Sequence, residues 1–171
     1  MVEDLVGQLD LLSILIFTPL VGAIFLAFVP GRHVGPIRLA ALGVAGLAFL
    51  VSLLVAISFD AGEPGFQLMQ RVEWIGFLGI TYTVGVDGLS LVLVLLTTVL
   101  TFISILASLG PIKTRVKEYM IAFLVLEVGM LGVFLALDLF LFYVFWEVVH
   151  QRAMKMKSAT MASNPRAMPS A

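Results

Sequence analysis

Long apolar segments, separated by short polar stretches, dominate the chain. A helix that crosses a membrane needs about 20 mostly apolar residues, because the hydrocarbon core is about 30 Å thick. The pattern therefore predicts four spans, at about residues 11–29, 37–59, 89–109 and 119–137. Proline cannot continue a helix and glycine suits its exit turn, so Pro30-Gly31 and Gly110-Pro111 are predicted to end the first and third spans.

A fifth apolar run, at residues 139–149, reaches only about 16 Å as a helix, roughly half of the hydrocarbon core. Residues 150–171 are polar and basic, with no acid and no large aliphatic or aromatic side chain. Either residues 119–149 form one long tilted helix, or a partial fifth span precedes an unrelated tail, and we favour the second. Residues 1–149 are then the membrane domain. The tail has nothing apolar to bury, so we expect it to be disordered or a short surface helix.

The segment between the second and third spans has a different period. Residues 66–75 and 80–86 are rich in β-branched and aromatic side chains, and Gly76-Phe77-Leu78-Gly79 separates them. Apolar and small or polar residues alternate along 80–86, which favours a β-hairpin at the outer surface. The alternative is an irregular interfacial loop in which Trp74 and Tyr82 anchor the chain at the membrane boundary.

Composition supports a membrane protein, because 61% of the residues are hydrophobic and only 12% are charged. Soluble domains are about 45–50% apolar and about 25% charged. The predicted class is therefore an all-α integral membrane protein with four to five transmembrane helices. The net charge of −1 gives no reason to expect a nucleic-acid partner. Without cysteine, the chain cannot hold a disulfide or an iron–sulfur cluster. We find no phosphate loop, dinucleotide fingerprint or metal-ligand cluster.

Loop charge predicts the orientation, because lysine and arginine collect on the cytoplasmic side. The first and third loops carry Arg32, with Arg38 nearby, and Lys113, Arg115 and Lys117. The segment 1–10 has no basic residue and the second loop is mainly acidic. The N-terminus is therefore predicted outside. A secretory signal needs a basic region before its apolar stretch, so the first apolar segment is expected to be a retained helix.

Three carboxyl groups lie in or beside the last apolar stretches: Glu127, Asp138 and Glu147. A charge at the membrane centre costs at least about 2.5–3.5 kcal/mol, so such groups mark partners or ion paths. For Asp138, between two spans, the alternative is a turn or helix cap. For Glu127 it is a helix–helix hydrogen bond, and for Glu147 a position at a helix end, with His150 as the nearest partner on its face.

Two further patterns predict structural roles. Gly43 and Gly46, and likewise Gly129 and Gly132, lie three residues apart, a spacing that permits close helix contact. In Gly85-Val86-Asp87-Gly88, Asp87 is expected to cap the third span by accepting from its first free N–H groups.

Three segments together resemble a known family. They are Val84-Gly85-Val86-Asp87-Gly88-Leu89-Ser90-Leu91, Gly129-Met130-Leu131-Gly132-Val133-Phe134, and the run Asp138 to Glu147 with the sequence DLFLFYVFWE. In this order and spacing, over about residues 10–149, they resemble the chain M family of NADH–quinone oxidoreductase, respiratory complex I. That family includes antiporter-like chains L and N and subunits of multi-subunit cation/proton antiporters.

The resemblance implies a proton-translocating membrane-arm subunit, in which Glu147 is the channel glutamate and works with a lysine on a later helix. It implies a structural role for Asp87 and Gly88 and an outer hairpin that ties adjacent chains together. Its members have about fourteen helices, so the match implies a fragment that ends within the fifth. NADH, FMN, iron–sulfur clusters and quinone would be bound by partner subunits in the cell inner membrane. A cation/proton antiporter subunit and a fragment without function are the alternatives.

Overall fold

The computed structural model describes residues 10–75 and 80–163. They form five helices and two strands, and the first residues of the N-terminus, the separator 76–79 and the tail residues 164–171 lie outside this part. In chain order the elements are α1 (Leu11–Phe28), α2 (Val34–Ser58), β1 (Gln67–Ile75), β2 (Ile80–Val86), α3 (Gly88–Ser108), α4 (Val116–Leu135) and α5 (Leu139–Ser163).

The first four helices, α1 to α4, are each long and apolar enough to cross a membrane. Their bounds differ from the predicted spans by at most three residues at either end, as is usual at helix ends. The fold class predicted from the sequence, membrane helices with a small hairpin, is confirmed. Helix α4 contacts each of the other four helices, so it is the central element of the bundle.

The hairpin is also confirmed, and the irregular-loop alternative is wrong. Strands β1 and β2 pair antiparallel, with Gln70 opposite Val84. Val84 and Val86 on β2 are fully buried and belong to the apolar core at one end of the bundle. The hairpin therefore covers this end and is packed into it. Because every second residue of a strand points to the same face, Val84 and Val86 both point into the core.

A sharp break separates α4 from α5, so the alternative of one long tilted helix over residues 119–149 is wrong. Ala136 is extended and forms a β-bridge with Val84, and the N–H of Leu137 donates to the carbonyl of Thr83 at 2.9 Å. The connection between the helices thus pairs with the hairpin. A helix cannot continue through residues whose backbone groups are bonded to a neighbouring strand.

Helix α5 continues past the predicted boundary at residue 149 and ends at Ser163. Of the two forms expected for the tail, residues 150–163 have the helical one, because the segment contains good helix formers such as Gln, Arg, Ala, Met and Lys and no proline or glycine before Pro165. Its apolar part, Leu139–Gln151, is shorter than a full span. That the membrane domain ends at residue 149 stays a prediction.

The opposite end of the bundle carries the basic residues. The Arg38 guanidinium donates to the carbonyl of Ile112 at 2.5 Å, and the Lys117 ammonium donates to the carbonyl of Ala27 at 2.7 Å. The first bond joins α2 to the loop between α3 and α4, and the second joins α4 to the last turn of α1. The cations that the sequence predicts on one side of the membrane therefore do lie at one end of the fold, away from the hairpin.

Candidate functional site

Asp138 caps helix α5. Its carboxylate accepts from the backbone N–H groups of Phe140 at 2.9 Å and Leu141 at 3.2 Å. A carboxylate at this position satisfies donors that have no partner within the helix and complements the positive end of the helix dipole. Its geometry is that of the capping alternative, and it directs the start of the helix that carries Glu147.

Asp87 caps helix α3 in the same way, as the sequence predicts. Its carboxylate accepts from the N–H of Ser90 at 2.7 Å. This backbone hydrogen bond, together with the Ser90 side chain, lowers the pKa of Asp87 below its ordinary value. Gly88 is the first residue of the helix. Asp87 thus joins the end of the hairpin to the start of a membrane span.

We expect Asp87→Ala to lower the free energy of unfolding by about 1 kcal/mol, and Asp87→Asn to retain most of the cap. Because the folded-state pKa is lowered, the carboxylate's contribution is full above the ordinary aspartate pKa and is lost as pH falls through the lowered value. Unfolding in detergent micelles at several pH values measures this. Loss of stability on acidification that is equal in the native chain and in Asp87→Asn would contradict it.

Glu127 lies in the interior of the bundle. Its side chain is 0% exposed, and neither carboxyl oxygen has a hydrogen-bond partner among the described residues. It lies on the central helix α4, on the same face as Leu124 and Leu131, which belong to the apolar cores at the two ends of the bundle. A buried polar group without a partner is rare in native proteins, so it requires an explanation.

Buried hydroxyls accompany Glu127 at the middle of the bundle: Ser52 on α2 and Thr97, Thr98 and Thr101 on α3. The hydroxyls of Ser52 and Thr98 lie 2.9 Å apart and connect the two helices. The sequence reasoning missed this group. The signal was present, because Thr97 and Thr101 are four residues apart in a span without charged residues and so share one helix face.

Helix α5 packs on a glycine seam of α4. A Cβ atom on Gly132 would overlap the ring of Phe145, and one on Gly129 would lie 2.6 Å from Val149. Only glycine allows so close an approach. Of the two glycine pairs noted in the sequence, this one makes the closest contact, whereas Gly43 has nothing within 4 Å of such an atom.

Glu147 lies on the face of α5 that points away from this seam. It is exposed, and its carboxylate accepts from the Gln151 side chain at 2.8 Å rather than from His150. The same face carries large exposed apolar and aromatic side chains, namely Leu139, Phe140, Tyr143 and Trp146. The structure therefore does not bring Glu127 and Glu147 together: one lies inside the bundle and the other on its outer face.

A groove of about 540 Å³ separates α5 from α1 and the hairpin. At its wall the Ser13 hydroxyl donates to Gln70 at 2.5 Å and lies 3.1 Å from the Tyr82 hydroxyl. The pKa of Tyr82 is raised above its ordinary value, mainly by burial. The hydrogen bond with Ser13 lowers this pKa, and the charge of Asp10 raises it. This polar contact ties the hairpin to α1, and no local sequence pattern predicts it.

Chemically, these carboxyl and hydroxyl groups can hold and exchange protons. Among residues 10–75 and 80–163, no group of three or more histidine or acidic side chains is placed to hold a metal ion. Two acids, Asp87 and Asp138, are used as helix caps. Glu127 and Glu147 remain as the carboxyls of the helices whose surroundings point to proton chemistry.

The four long apolar helices define a multi-pass α-helical membrane protein. Residues 41–141 match the family model described as NADH-ubiquinone oxidoreductase chain 4, amino terminus, so the chain belongs to that family. It is 50% identical over 143 residues to NADH-quinone oxidoreductase subunit M of Rhodobacter capsulatus, a match that covers 81% of this chain and 27% of that protein. The homology is to antiporter-like membrane-arm subunits of complex I.

Solved structures agree. The chain is similar to one in respiratory complex I from Thermus thermophilus with bound NADH, with a TM-score of 0.66, 26% identity, and coverage of 85% of this chain and 28% of that one. It shares its fold with a chain of an archaeal membrane-bound sulfane sulfur reductase, at a TM-score of 0.69, 20% identity, and coverage of 85% and 22%. The chain spans about 27–30% of the length of the curated relatives it matches.

Proposed function

We propose that these helices belong to a proton-translocating membrane-arm subunit of NADH–quinone oxidoreductase, and that Glu147 is a protonatable residue of its channel. Membership of the family supports the first part. The observation that carries the second is the position of Glu147. It is the only ionisable carboxyl on an apolar, aromatic face of α5 that the rest of the described bundle leaves uncovered.

An apolar helix face of this size is suited to packing against further helices in the membrane. Once such helices cover it, a carboxyl on that face is removed from bulk water, and its charged form becomes costly unless a cation is near. The family resemblance supplies such a cation, a lysine on a later helix. Movement of a charge toward or away from Glu147 would then change whether it holds a proton.

The remaining parts of the proposal concern its surroundings. The subunit would lie in the cell inner membrane with the hairpin and the N-terminus outside, since the loops that carry Arg32 and Lys113 form the basic end. Other membrane-arm subunits would be its partners. NADH, FMN, iron–sulfur clusters and quinone would be held by partner subunits, and the absence of cysteine from this sequence fits that division for the clusters.

The test uses the full-length subunit in the assembled complex, reconstituted in vesicles. We expect Glu147→Gln to reduce proton translocation per quinone reduced at least tenfold while the complex still assembles, because glutamine keeps the shape but cannot release a proton. Glu118→Gln is the matched control, since Glu118 is an exposed carboxylate. Its Oε1 atom lies 3.8 Å from Nε of Arg115.

Full translocation in Glu147→Gln would remove Glu147 from the channel. Proton exchange driven by a cation gradient, in a complex without quinone reductase activity, would instead favour an antiporter. A chain that fails to enter any membrane complex would contradict the first part of the proposal and leave the assignment of Glu147 without a basis.

A further inference from the structure

The middle of the bundle holds a second carboxyl, Glu127, on the side of α4 opposite α5. Each residue advances by about 100° around an α-helix, so Gly129 and Gly132 lie about 200° and about 140° from Glu127. These glycines contact α5. The Glu127 side chain therefore points away from the helix that carries Glu147, and the thickness of α4, about 10 Å, separates the two groups.

The order of helices around α4 shows which neighbours Glu127 faces. All four other helices contact α4, and contacts also join α1 to α2 and α2 to α3. The groove lined by Phe17 of α1 and Phe145 of α5 makes α1 the next neighbour of α5. The order is therefore α5, α1, α2, α3. Helices α2 and α3 therefore lie on the side of α4 away from α5, which is the side toward which Glu127 points.

Helix α3 presents hydroxyls on that side. Thr98 bonds to Ser52, and Phe102 approaches Gly46, so these two residues face α2. Thr97 and Thr101 are also buried but lie on the other edge of the buried face, toward α4, the second helix that packs on α3. Thr97 donates its hydroxyl hydrogen to the carbonyl of Leu93 at 2.7 Å, so its oxygen remains able to accept.

The levels of Glu127 and Thr97 also agree. With a rise of 1.5 Å per residue, Glu127 lies about 12 Å and Thr97 about 14 Å from the hairpin ends of their helices, and Thr101 lies one turn deeper, at about 20 Å. Side chains lean toward the N-terminus of their helix, so Glu127 and Thr101 lean toward each other in level. Helices α1 and α3 contain no charged residue, the one charged residue of α2 is Arg38 in its first turns, bonded to Ile112, and Glu147 of α5 lies on the outer face. Lys117 and Glu118 of α4 itself lie at its first turn. On α5, His150 is exposed, and the basic residues follow from Arg152, about 20 Å from the hairpin end of that helix. No cation of α1 to α4 lies at the level of Glu127.

We propose that Glu127, with Thr97 and Thr101, forms a second proton site in the middle of the membrane, in which the carboxyl holds one proton and is bonded to water. A buried carboxylate without a cation is costly, and a neutral carboxyl offers one O–H donor to acceptors such as threonine oxygens. Internal water joins polar groups too far apart to bond directly. Release of the proton to that water leaves the carboxylate and a hydrated proton.

This site is separate from the channel role proposed for Glu147, so the two can fail independently. The test is infrared spectroscopy of the chain in lipid nanodiscs with ¹³C-labelled glutamate. We expect a band of a protonated glutamate at neutral pH that shifts in D₂O. Glu127→Gln should abolish it, and Glu147→Gln and Glu118→Gln should retain it. No such band, a band that survives in Glu127→Gln, or one that stays unshifted in D₂O would each overturn the proposal.

Threonine variants keep the test decisive if Glu127→Gln fails to fold. Valine has nearly the shape of threonine but no hydroxyl. We expect Thr97→Val and Thr101→Val to shift the carboxyl band to higher frequency, because the group loses a hydrogen-bond partner. Thr98→Val is the matched control, since that hydroxyl faces Ser52, and it should leave the band in place. A band unmoved by both Thr97→Val and Thr101→Val, or moved equally by Thr98→Val, would overturn the site.

Discussion

Replacement of Gly132 by leucine is expected to push α5 away from α4. A side chain there must occupy the space of the Phe145 ring, and the neighbouring contact of Gly129 with Val149 leaves α5 no room to shift closer along the seam. Overpacking of this kind costs about 1–3 kcal/mol. The structural effect is larger than that figure suggests, because the seam is the main contact that holds the membrane part of α5 on the bundle.

Spin labels measure this separation directly, since the chain has no cysteine of its own. Labels on Leu126→Cys and Val144→Cys report the distance between the two helices. The matched control is Gly43→Leu, at an exposed helix position with nothing within 4 Å. There leucine should leave the distance unchanged and improve helix propensity. An unchanged distance in Gly132→Leu would contradict the predicted role of the seam.

Introduction of a charge at Val84 is expected to detach the hairpin from the bundle. Val84 is 0% exposed, pairs with Gln70 and bridges to Ala136, so Val84→Asp places an unpaired carboxylate in the apolar core. Burial of an unpaired charge is among the few changes that cost about 4 kcal/mol or more. The connection between α4 and α5 should loosen as well, because it is bonded to the same strand.

Hydrogen exchange followed by mass spectrometry tests this prediction. Protection of the amides in β1 and β2 should fall by about two to three orders of magnitude, since each 1.4 kcal/mol is tenfold. Val72→Asp is the control, because Val72 belongs to the same hairpin but is 59% exposed. Equal loss of protection in the two variants would show that strand stability, and not docking on the core, is what the charge disturbs.

Much of the fold followed from local pattern. Residues 11–29 and 89–109 are apolar over the length of a membrane span and are bounded by helix-ending residues, so α1 and α3 could be located closely. The alternation along 80–86 predicted β2, because a period of two has only one regular explanation. Asp87 could be recognised as a cap, because capping depends on residues three positions apart in the chain.

The candidate site was less predictable, because burial depends on which helices pack together. The sequence places Glu127 and Glu147 alike in apolar stretches. In the structure Glu147 lies on the outer face of α5, whereas Glu127 is fully buried at the centre. Periodicity places residues on faces of a helix but does not say which face meets which neighbour.

The sequence by itself determined that this protein resides in a membrane, which segments cross it, where the hairpin forms and at which end the cations collect. Each of these depends on residues close together in the chain, through hydrophobicity, backbone preference and charge. Only the tertiary structure decided that α4 is the central helix, that Gly129 and Gly132 receive α5, and that Glu127 and Glu147 lie on opposite sides of α4. Those outcomes depend on contacts between distant segments, which are selected by close packing and not by local pattern.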